Sequence, residues 1–391
     1  MSGPLRLGVI GLGRAFTLML PAFMGHPRVV LAGAADPRPE ARERFSADFG
    51  APAYASPEEL CADKNIQAVY VASPHQHHLD HVRMAARAGR HVLVEKPMAL
   101  TLADALAMIA AAGEAGVRLI VGHSHSFDLP YLRTRELIAS GAFGPVRMIT
   151  ALNFTDFMYR PRRPEELDTQ AGGGVVFSQG AHQIDVARLL AGAPAKSVRA
   201  FTGVFDPVRP AEGAYQAMIE FSGGASAVLS YSGYGRFDSD ELQGWIGEMG
   251  QTRAVPGYGR ARAALRAAAT PEAETALKNQ RAYGLSGATA FTRAEPAAHN
   301  HFGFVIAGCE RADLRPMPGG VEIYGEDSRS FEALPPPAVP RAEVIDELCA
   351  AALGGAAPQH DGAWGLATLE ICLAILASAR EGRVIELRHQ V

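Results

Sequence analysis

The first part of the chain has the pattern of a strand, a glycine turn and a helix, followed by a second strand. The apolar run LRLGVI at residues 5–10 enters Gly11-Leu12-Gly13, and apolar residues then recur at helical spacing over 14–23. A second apolar run, 29–35, ends at Asp36. Glycines let backbone N–H groups approach a pyrophosphate at a helix N-terminus, and a carboxylate at the end of the next strand accepts hydrogen bonds from ribose hydroxyls. The pattern therefore predicts a dinucleotide-binding Rossmann domain.

Two details of this turn bear on the cofactor. The usual third small residue is Phe16, so we expect the helix to lie further from the sheet, with Ala15 giving some relief. Asp36 would repel a 2′-phosphate and favours NAD, whereas Arg38 could bind that phosphate and leaves NADP possible. The residues predicted to hold the cofactor here are Gly11, Leu12, Gly13, Arg14, Ala15, Asp36 and Arg38.

The order of predicted elements divides the chain in two. Strands alternate with helices as far as residue 121, which predicts a parallel sheet with right-handed crossovers. After the second strand the pattern indicates strands over 66–72, 91–94 and 117–121 and helices over 39–49, 75–88 and 101–115. After about residue 126 the strands alternate polar with apolar residues and the hairpin signal Ser222-Gly223-Gly224 appears. We therefore predict an α/β fold with a Rossmann domain over 1–125 and an α+β domain over 126–391, which has a large, open, mostly antiparallel sheet and includes helices within 341–380. Residues 251–300 are predicted only as a helix and a surface loop.

Charge and composition argue against several classes of function. The chain has 37 basic and 41 acidic residues without a long run of one sign, which disfavours nucleic acid as a partner. Its four cysteines form no C-x-x-C pair, which is typical of a reducing compartment. No stretch approaches the roughly 20 consecutive apolar residues that span a bilayer, and glycines interrupt the N-terminal apolar run that a signal peptide would need. We expect a cytoplasmic protein with no membrane partner.

Several histidines follow predicted strands and raise the question of a metal. His77 and His81 are one helical turn apart, a spacing that metal ligands use. No cysteine or acid-rich ligand set accompanies them, and hydride transfer to a nicotinamide needs no metal. We therefore expect no metal site.

Three further motifs point to a family. Glu95-Lys96-Pro97 directly follows the strand HVLV, and Ser73-Pro74-His75-Gln76-His77-His78 follows the strand before it. In the second domain, Gly172-Gly173-Gly174 precedes His182 and Asp185, and Gly382-Arg383 lies near the C-terminus. In these motifs the sequence resembles the Gfo/Idh/MocA oxidoreductases over nearly its whole length.

The resemblance implies roles for particular residues. It places Lys96 beside the reacting alcohol with His182 as its partner. A lysine at the carboxyl end of a parallel strand also points into the crevice where ligands bind, and partial desolvation suits its amine for proton transfer. The resemblance further implies cofactor contacts from Ser73, Pro74, His75, His78, Glu95, Lys96 and His125, and a homodimer or homotetramer formed through the C-terminal sheet.

One departure from the family pattern bears on the substrate. Many members carry an aspartate four residues before the histidine, and here that position is Ser178. A polyol held by that aspartate is therefore in doubt, although a sugar or polyol dehydrogenase remains the alternative enzyme. A non-catalytic NAD-sensing regulator is the alternative of another class, but the chain keeps both Lys96 and His182.

An arginine-rich segment suggests an anionic aromatic substrate. Residues 156–164, DFMYRPRRP, combine aromatic side chains with three arginines, and arginine forks bind carboxylates bidentately. A solvated basic loop or a subunit contact is the other interpretation. This segment, the first turn and residues 299–325 resemble the family branch that oxidises phthalate cis-4,5-dihydrodiol to 4,5-dihydroxyphthalate. The predicted substrate-binding residues are Lys96, Tyr159, Arg160, Arg162, Arg163, Ser178, His182 and His301.

Overall fold

The computed structural model describes residues 3–254, 259–268, 270–284 and 297–391. By its internal contacts the chain forms two units. The first contains Met1–His123, Thr275–Ala294 and Val339–Leu369, and the second contains Ser124–Glu274, Glu295–Ala338 and Glu370–Val391.

The first unit is built on a parallel sheet of six strands in the order β3-β2-β1-β4-β5-β6. Its strands are mostly buried on both faces, as helix-covered parallel sheets require. The strands are β1 (Leu5–Ile10), β2 (Val29–Ala35), β3 (Ala53–Tyr54), β4 (Ala68–Val71), β5 (His91–Val94) and β6 (Leu119–Val121). The helices between them are α1 (Arg14–Gly25), α2 (Pro39–Phe49), α3 (Pro57–Ala62), α4 (His78–Arg87) and α5 (Leu102–Glu114).

Local sequence sets where several of these helices begin. Ser56 and Glu59 form a capping box at the start of α3, and the Thr101 hydroxyl accepts a hydrogen bond from the backbone N–H of Asp104 at the start of α5. The helix predicted from His75 begins instead at His78, because His75–His77 forms a short 3₁₀ turn. The strands predicted over 66–72 and 117–121 are shorter than expected.

The second unit is built on a sheet of nine strands in the order β14-β13-β12-β11-β7-β10-β9-β8-β15. Every neighbouring pair is antiparallel except β7 with β10. The strands are β7 (Val146–Phe154), β8 (Ala195–Gly203), β9 (Ala214–Phe221), β10 (Ser226–Ser232), β11 (Phe304–Cys309), β12 (Ala312–Met317), β13 (Gly320–Gly325), β14 (Arg329–Ala333) and β15 (Ile385–Glu386). The expectation of an α/β fold with a second, mostly antiparallel sheet is confirmed.

The two faces of this sheet differ. One face lies under α6 (Leu129–Ala139) and α7 (Ala181–Ala191), and every residue of α7 is buried. The opposite face exposes large apolar side chains from four strands, namely Met148, Phe201, Met218 and Val228. The alternation of β9, in which Gln216, Met218 and Glu220 are exposed and their neighbours buried, is that of a half-buried strand.

The remaining helices lie in the region that the sequence left open and near the C-terminus. Two helices lie in the region predicted as a helix and a surface loop, α8 (Arg260–Ala268) and α9 (Pro271–Asn279). In the same region, residues 255–258, 269 and 285–296 lie outside the described residues. Near the C-terminus are α10 (Ala342–Gly354) and α11 (Gly362–Glu381). Residues 339–369 are grouped with the first unit by their contacts, whereas the sequence assigned 126–391 to one domain. The domain bounds 1–125 and 126–391 stay a prediction.

One helix among the described residues is long and apolar enough to cross a membrane by length and composition. It is α11, with a mean hydropathy of 1.6 over its most apolar window, and 67% of that window is buried inside the protein. Core helices of globular proteins have the same properties, so the helix is weak evidence for a membrane span.

Candidate active site

The glycine turn between β1 and α1 has the geometry that a pyrophosphate requires. Gly11 has φ +93°, and a Cβ atom there would lie 2.9 Å from the carbonyl oxygen of Ala72. Gly13 is the N-cap of α1, and a Cβ at Gly13 would meet no atom within 4 Å. The space beside Gly13 and the N–H groups of the first helical turn, which includes Arg14 and Ala15, therefore suit a bound diphosphate. These residues fit the dinucleotide.

The carboxylate of Asp36 connects the end of β2 to this turn. Its Oδ2 accepts a hydrogen bond from the backbone N–H of Leu12 at 2.8 Å, and its Oδ1 pairs with Nε of Arg38 at 2.9 Å. Arg38 also donates from Nη2 to the carbonyl of Leu12 at 2.9 Å. To bind here, the 2′-phosphate of NADP would have to break the pair of Arg38 with Asp36 and lie close to the Asp36 carboxylate. The paired arrangement therefore favours NAD.

Asp36→Ala should therefore weaken NAD binding more than NADP binding. The carboxylate serves the ribose hydroxyls of NAD, and a lost hydrogen bond to a charged group corresponds to roughly a 10-fold or larger rise in Kd. The measurement is the Kd of each cofactor by fluorescence titration. Asp36→Asn is the matched control, because it keeps an acceptor for Leu12. An equal loss of affinity for both cofactors in Asp36→Ala would contradict the assigned role.

Phe16 is accommodated by an aromatic contact that the sequence did not predict. Its ring is fully buried and meets the edge of Tyr283, with centroids 5.3 Å apart at 83°. Tyr283 also donates from its hydroxyl to Asp48 at 2.5 Å and from its backbone N–H to Leu12 at 3.2 Å. Tyr283, from the region predicted only as a helix and a surface loop, therefore packs on the cofactor turn.

The ends of β4 and β5 carry the other predicted cofactor residues. Ser73, Pro74 and His75 follow β4, and the Ser73 hydroxyl lies 2.8 Å from Nδ1 of His81. His78 is fully buried, with Nε2 2.9 Å from the carbonyl of Ser73 and Nδ1 3.2 Å from that of Met98. Burial lowers the pKa of His78 to about 4, and a neutral ring carries a single N–H, so His78 donates to one of these two carbonyls.

Glu95 and Lys96 follow β5 at the same carboxyl edge. Glu95 accepts a hydrogen bond from the hydroxyl of buried Tyr70 at 2.5 Å. Burial raises the pKa of Glu95, although the neighbouring positive charge of Lys96 acts in the opposite direction. Lys96 thus lies at the edge of the parallel sheet where ligands bind in such folds, next to an acid held in place by a tyrosine.

In the second unit, His182 lies in the first turn of the buried helix α7. The chain enters this helix through Gly172 and Gly174, whose φ values are +84° and +83°, and a one-turn π-helix, Val176–Gly180. Glu212 secures the entry by accepting hydrogen bonds from the Thr169 hydroxyl and from the backbone N–H of Val176. Within the turn, the Ser178 hydroxyl donates to the carbonyl of Gly174. The triple glycine therefore allows the backbone conformation that places His182 in the first turn of α7.

His182 belongs to a triangle of rings with His125 and Phe302. The centroids of His125 and His182 are 4.8 Å apart at 71°, and Phe302 lies 5.0 Å from each. His125 is fully buried between two carboxylates, with Nδ1 2.6 Å from Oδ2 of Asp128 and Nε2 3.5 Å from Oε1 of Glu248. His125, predicted to contact the cofactor, is grouped with the second unit and beside His182.

His301 is engaged by the backbone on both ring nitrogens. Its Nε2 lies 2.8 Å from the carbonyl of Ile246, and its Nδ1 accepts a hydrogen bond from the backbone N–H of Gly303 at 3.1 Å. Burial lowers the pKa of His301. These contacts fix the His301 ring against the backbone at Ile246 and Gly303, and its predicted contact with substrate stays a prediction.

The three arginines after β7 differ in their surroundings. The guanidinium of Arg162 lies 3.5 Å from the centroid of Phe157, donates to the carbonyl of that residue at 2.9 Å and is 9% exposed. Arg160 is 37% exposed and donates from Nε to Asp156 at 2.9 Å. Among the described residues, no other hydrogen bond engages the Arg160 guanidinium, whose Cζ lies 5.9 Å from the centroid of the Phe157 ring. Arg163 begins the next turn, where its backbone N–H donates to Glu166.

Tyr159, between these residues, is covered by another cation. The guanidinium of Arg262, from α8, lies 4.0 Å from the centroid of the Tyr159 ring. Arg262 also donates to the carbonyls of Tyr234 and Gly235 at 2.8 and 3.1 Å. Tyr159 therefore has a packing role, and its predicted contact with substrate stays a prediction.

Sequence reasoning missed Asp128 and Glu248. Asp128 lies three residues after His125, which is a usable signal, but nothing in the sequence connects Glu248 to either histidine. For metals, no group of three or more histidine, cysteine, aspartate or glutamate side chains with ligand geometry occurs in the part of the chain that the structure describes.

Comparison with known proteins gives a consistent result. A 1-carboxy-3-chloro-3,4-dihydroxycyclohexa-1,5-diene dehydrogenase of Comamonas testosteroni is 44% identical over 96% of this chain and 95% of its own length. A myo-inositol 2-dehydrogenase of Thermotoga maritima is 31% identical over 50% of this chain and 57% of its own length. The crystal structure of a candidate dehydrogenase from Bordetella bronchiseptica RB50 superposes with a TM-score of 0.92 and 41% identity, covering 98% of this chain and 100% of that one.

Family profiles match both halves of the chain. The oxidoreductase family with an NAD-binding Rossmann fold, Gfo/Idh/MocA, matches residues 5–123, and the Gfo/Idh/MocA C-terminal domain matches residues 131–251. The two matches together cover more than half of the chain. NAD is therefore the cofactor for which the glycine turn is built, and the protein is an NAD-dependent dehydrogenase that belongs to the Gfo/Idh/MocA oxidoreductase family.

Proposed function

We propose that this enzyme oxidises a carboxylated cis-dihydrodiol with NAD, and specifically phthalate cis-4,5-dihydrodiol to 4,5-dihydroxyphthalate. The observation that carries the proposal is the 44% identity, over 95% of the relative's length, to a dehydrogenase named for a carboxylated dihydroxycyclohexadiene. Arg160 supports a carboxylate on the ring, because its Nη donors make no hydrogen bond among the described residues and bidentate guanidinium pairs are the usual protein partner of that group.

The chemistry of such a substrate fits the residues assigned to it. Oxidation breaks the C–H bond beside one hydroxyl and removes the hydroxyl proton, and NAD, when bound, accepts the hydride. Lys96 is the base that takes the hydroxyl proton, and His182 is its acid/base partner. The resulting ketone tautomerises to a catechol, and the aromaticity gained makes the overall oxidation favourable.

The proposal is tested by a substrate panel followed through NADH absorbance. The panel contains the cis-dihydrodiols of phthalate, benzoate and unsubstituted arenes, together with myo-inositol and glucose. We expect turnover of the carboxylated dihydrodiols, with the highest kcat/KM for the phthalate compound. Turnover of inositol or glucose without any dihydrodiol would exclude the assignment.

A polyol dehydrogenase is the second candidate, since the chain shares 31% identity with an inositol dehydrogenase over half its length. Two observations disfavour it. Ser178 stands where the polyol-binding aspartate is expected, and its hydroxyl is directed to the carbonyl of Gly174. In addition, a neutral polyol offers no partner for the fork of Arg160.

We further propose that the enzyme acts in the cytoplasm, in the breakdown of aromatic acids. NAD is recycled inside the cell. Cys61, Cys309, Cys349 and Cys372 are all free thiols, as expected for a reducing compartment.

We also infer that the enzyme is a homodimer or homotetramer formed through the open face of the nine-stranded sheet. Met218 and Val228 are direct neighbours on β9 and β10, and both are more than 40% exposed. An apolar face of this kind favours self-association. Met218→Glu with Val228→Glu should produce a monomer by sedimentation velocity, with Glu220→Gln on the same face as the control. A parent protein that sediments as a monomer would contradict this inference.

A further inference from the structure

Two carboxylates lie beside the ring of His125, which in turn contacts the ring of His182. Asp128 and Glu248 lie on opposite edges of the His125 imidazole, at 2.6 Å from Nδ1 and 3.5 Å from Nε2. His125 in turn meets His182 edge to face at a centroid distance of 4.8 Å.

We propose that Asp128 and Glu248 hold His125 as an imidazolium with both N–H groups directed at carboxylates, and that this fixed ring orients His182, so that Glu248 is a positioning residue of the reaction. The inference rests on the proposed function in one respect, because it takes His182 as the acid/base partner of the dehydrogenation.

The geometry leaves His125 little freedom to rotate. A neutral imidazole carries one N–H and can donate to only one of two flanking carboxylates, whereas an imidazolium donates to both. The His125 side chain is 1% exposed and that of Asp128 is 4% exposed, so water does not compete for the hydrogen bond between them. The contact of Nε2 with Glu248, at 3.5 Å, is an ion pair longer than a normal hydrogen bond. The Phe302 ring packs against both histidines, with its centroid 5.0 Å from the centroid of each imidazole ring.

The charges around the cluster support a cationic His125. Burial acts to lower the pKa of His125, but Asp128 and then Glu248 outweigh it and raise the pKa above its usual value. Burial acts to raise the pKa of Glu248, but His125, then Arg160 and His301, lower it to about 2. The charged and titratable groups that face this cluster from the neighbouring elements are His182 and Asp185 of α7, His299 and His301 before β11, Arg160 after β7 and Tyr131 of α6.

The position of Glu248 is set by the backbone of the loop that carries it. Its loop is fixed on both sides, since Ile246 pairs with Thr252 and the backbone N–H of His301 donates to the carbonyl of Glu248. The Glu248 side chain is 32% exposed, so removing it leaves less unpaired buried charge than removing Asp128 would. Glu248 is therefore the member of the cluster to vary.

The experiment compares Glu248→Ala with Glu248→Gln and, as a matched control in the same region, Glu241→Ala at an exposed position. We expect Glu248→Ala to lower kcat for the dihydrodiol roughly 10- to 100-fold, since small misplacements of a reacting group have effects of that size. The KM for NAD should change less than twofold. Glu248→Gln should recover most of kcat, because its amide oxygen can accept a hydrogen bond from the Nε2–H of His125 and keep the ring fixed. Glu241→Ala should behave like the parent enzyme.

A second measurement does not depend on turnover. In ¹⁵N-histidine NMR spectra of the parent protein, His125 should keep both ring protons above pH 6.5, the usual pKa of the side chain. In Glu248→Ala its pKa should fall by about one unit or more, because the carboxylate that favours the charged ring is gone. The alkaline limb of the kcat profile should move to lower pH in the same variant.

Two results would overturn the inference. One is a His125 titration that is the same in Glu248→Ala and the parent. The other is an equal loss of kcat in Glu248→Ala and Glu248→Gln with a matching fall in melting temperature, which is the mark of a structural role. If no dihydrodiol is oxidised by the parent enzyme, the proposed function fails, while the NMR titration still decides whether Glu248 holds His125.

Discussion

Lys96→Ala is expected to lower kcat by roughly 100-fold or more while leaving the Kd for NAD nearly unchanged. A positioned acid/base group contributes 10²- to 10⁴-fold to a rate, and the amine of Lys96 is the group assigned to take the hydroxyl proton. The glycine turn and Asp36, which fit the cofactor, lie on other strand ends and do not depend on this amine. Steady-state kinetics with the dihydrodiol and fluorescence titration with NADH separate the two effects.

The control is a lysine at the opposite edge of the same sheet. Lys64 is exposed and precedes β4 at its amino end, so Lys64→Ala removes the same charge away from the ligand-binding edge. We expect it to keep the parent's kcat. If Lys96→Ala loses NAD affinity in proportion to kcat, then Lys96 supports the fold of the strand end, and its catalytic assignment is wrong.

Strong local patterns made much of the fold predictable. The bounds predicted for β1, β2 and α2 agree with the structure, because apolar runs and helical spacing there coincide with clear boundaries such as Gly11, Asp36 and Pro39. The hairpin at Ser222-Gly223-Gly224 is also confirmed, with φ +82° at Gly224. The start of α4 was misplaced, since nothing in the sequence of His75–His77 distinguishes a 3₁₀ turn from the first turn of a helix.

Contacts between distant parts of the chain could not be predicted in the same way. Tyr283 packs on Phe16 across more than 260 residues, and no local pattern in the Ala- and Arg-rich region indicates it. The assignment of 339–369 to the first unit has the same origin, because the backbone N–H of Val121 donates to the carbonyl of His360 at 2.9 Å. Pairings of this kind depend on the complementarity of folded surfaces and leave no periodic signal.

The candidate site also contains residues that motifs indicate and residues that only the folded chain brings together. Lys96 and His182 were predicted from motifs. Lys96 follows the end of β5, and His182 lies on the buried helix α7. Glu248 carries no motif, and its relation to His125 depends on a loop that is fixed only in the folded chain. The arginines at 160 and 162 are two residues apart in one segment, and only their packing distinguishes them.

That difference in packing gives Arg160 and Arg162 opposite expected results. Arg162 is held by Phe157 and Glu166, so Arg162→Ala should destabilise the protein by about 1–3 kcal/mol and leave its substrate preference unchanged. Arg160 forms one ion pair, with Asp156, and its Nη donors make no hydrogen bond among the described residues. Arg160→Ala should therefore raise KM for the phthalate dihydrodiol roughly 10- to 100-fold, the effect of losing a charge-assisted pair.

An uncharged arene dihydrodiol is the internal control for these variants, because it has no carboxylate to lose. Arg160→Ala should change its kcat/KM little, whereas a folding defect would depress activity on both substrates alike. Arg160→Lys should restore only part of the preference, since a point charge cannot reproduce a bidentate fork. Arg163→Ala completes the series, with melting temperatures measured for every variant. If all three alanine variants keep the parent's preference for the diacid, the segment is a basic surface and the carboxylate is bound elsewhere in the protein.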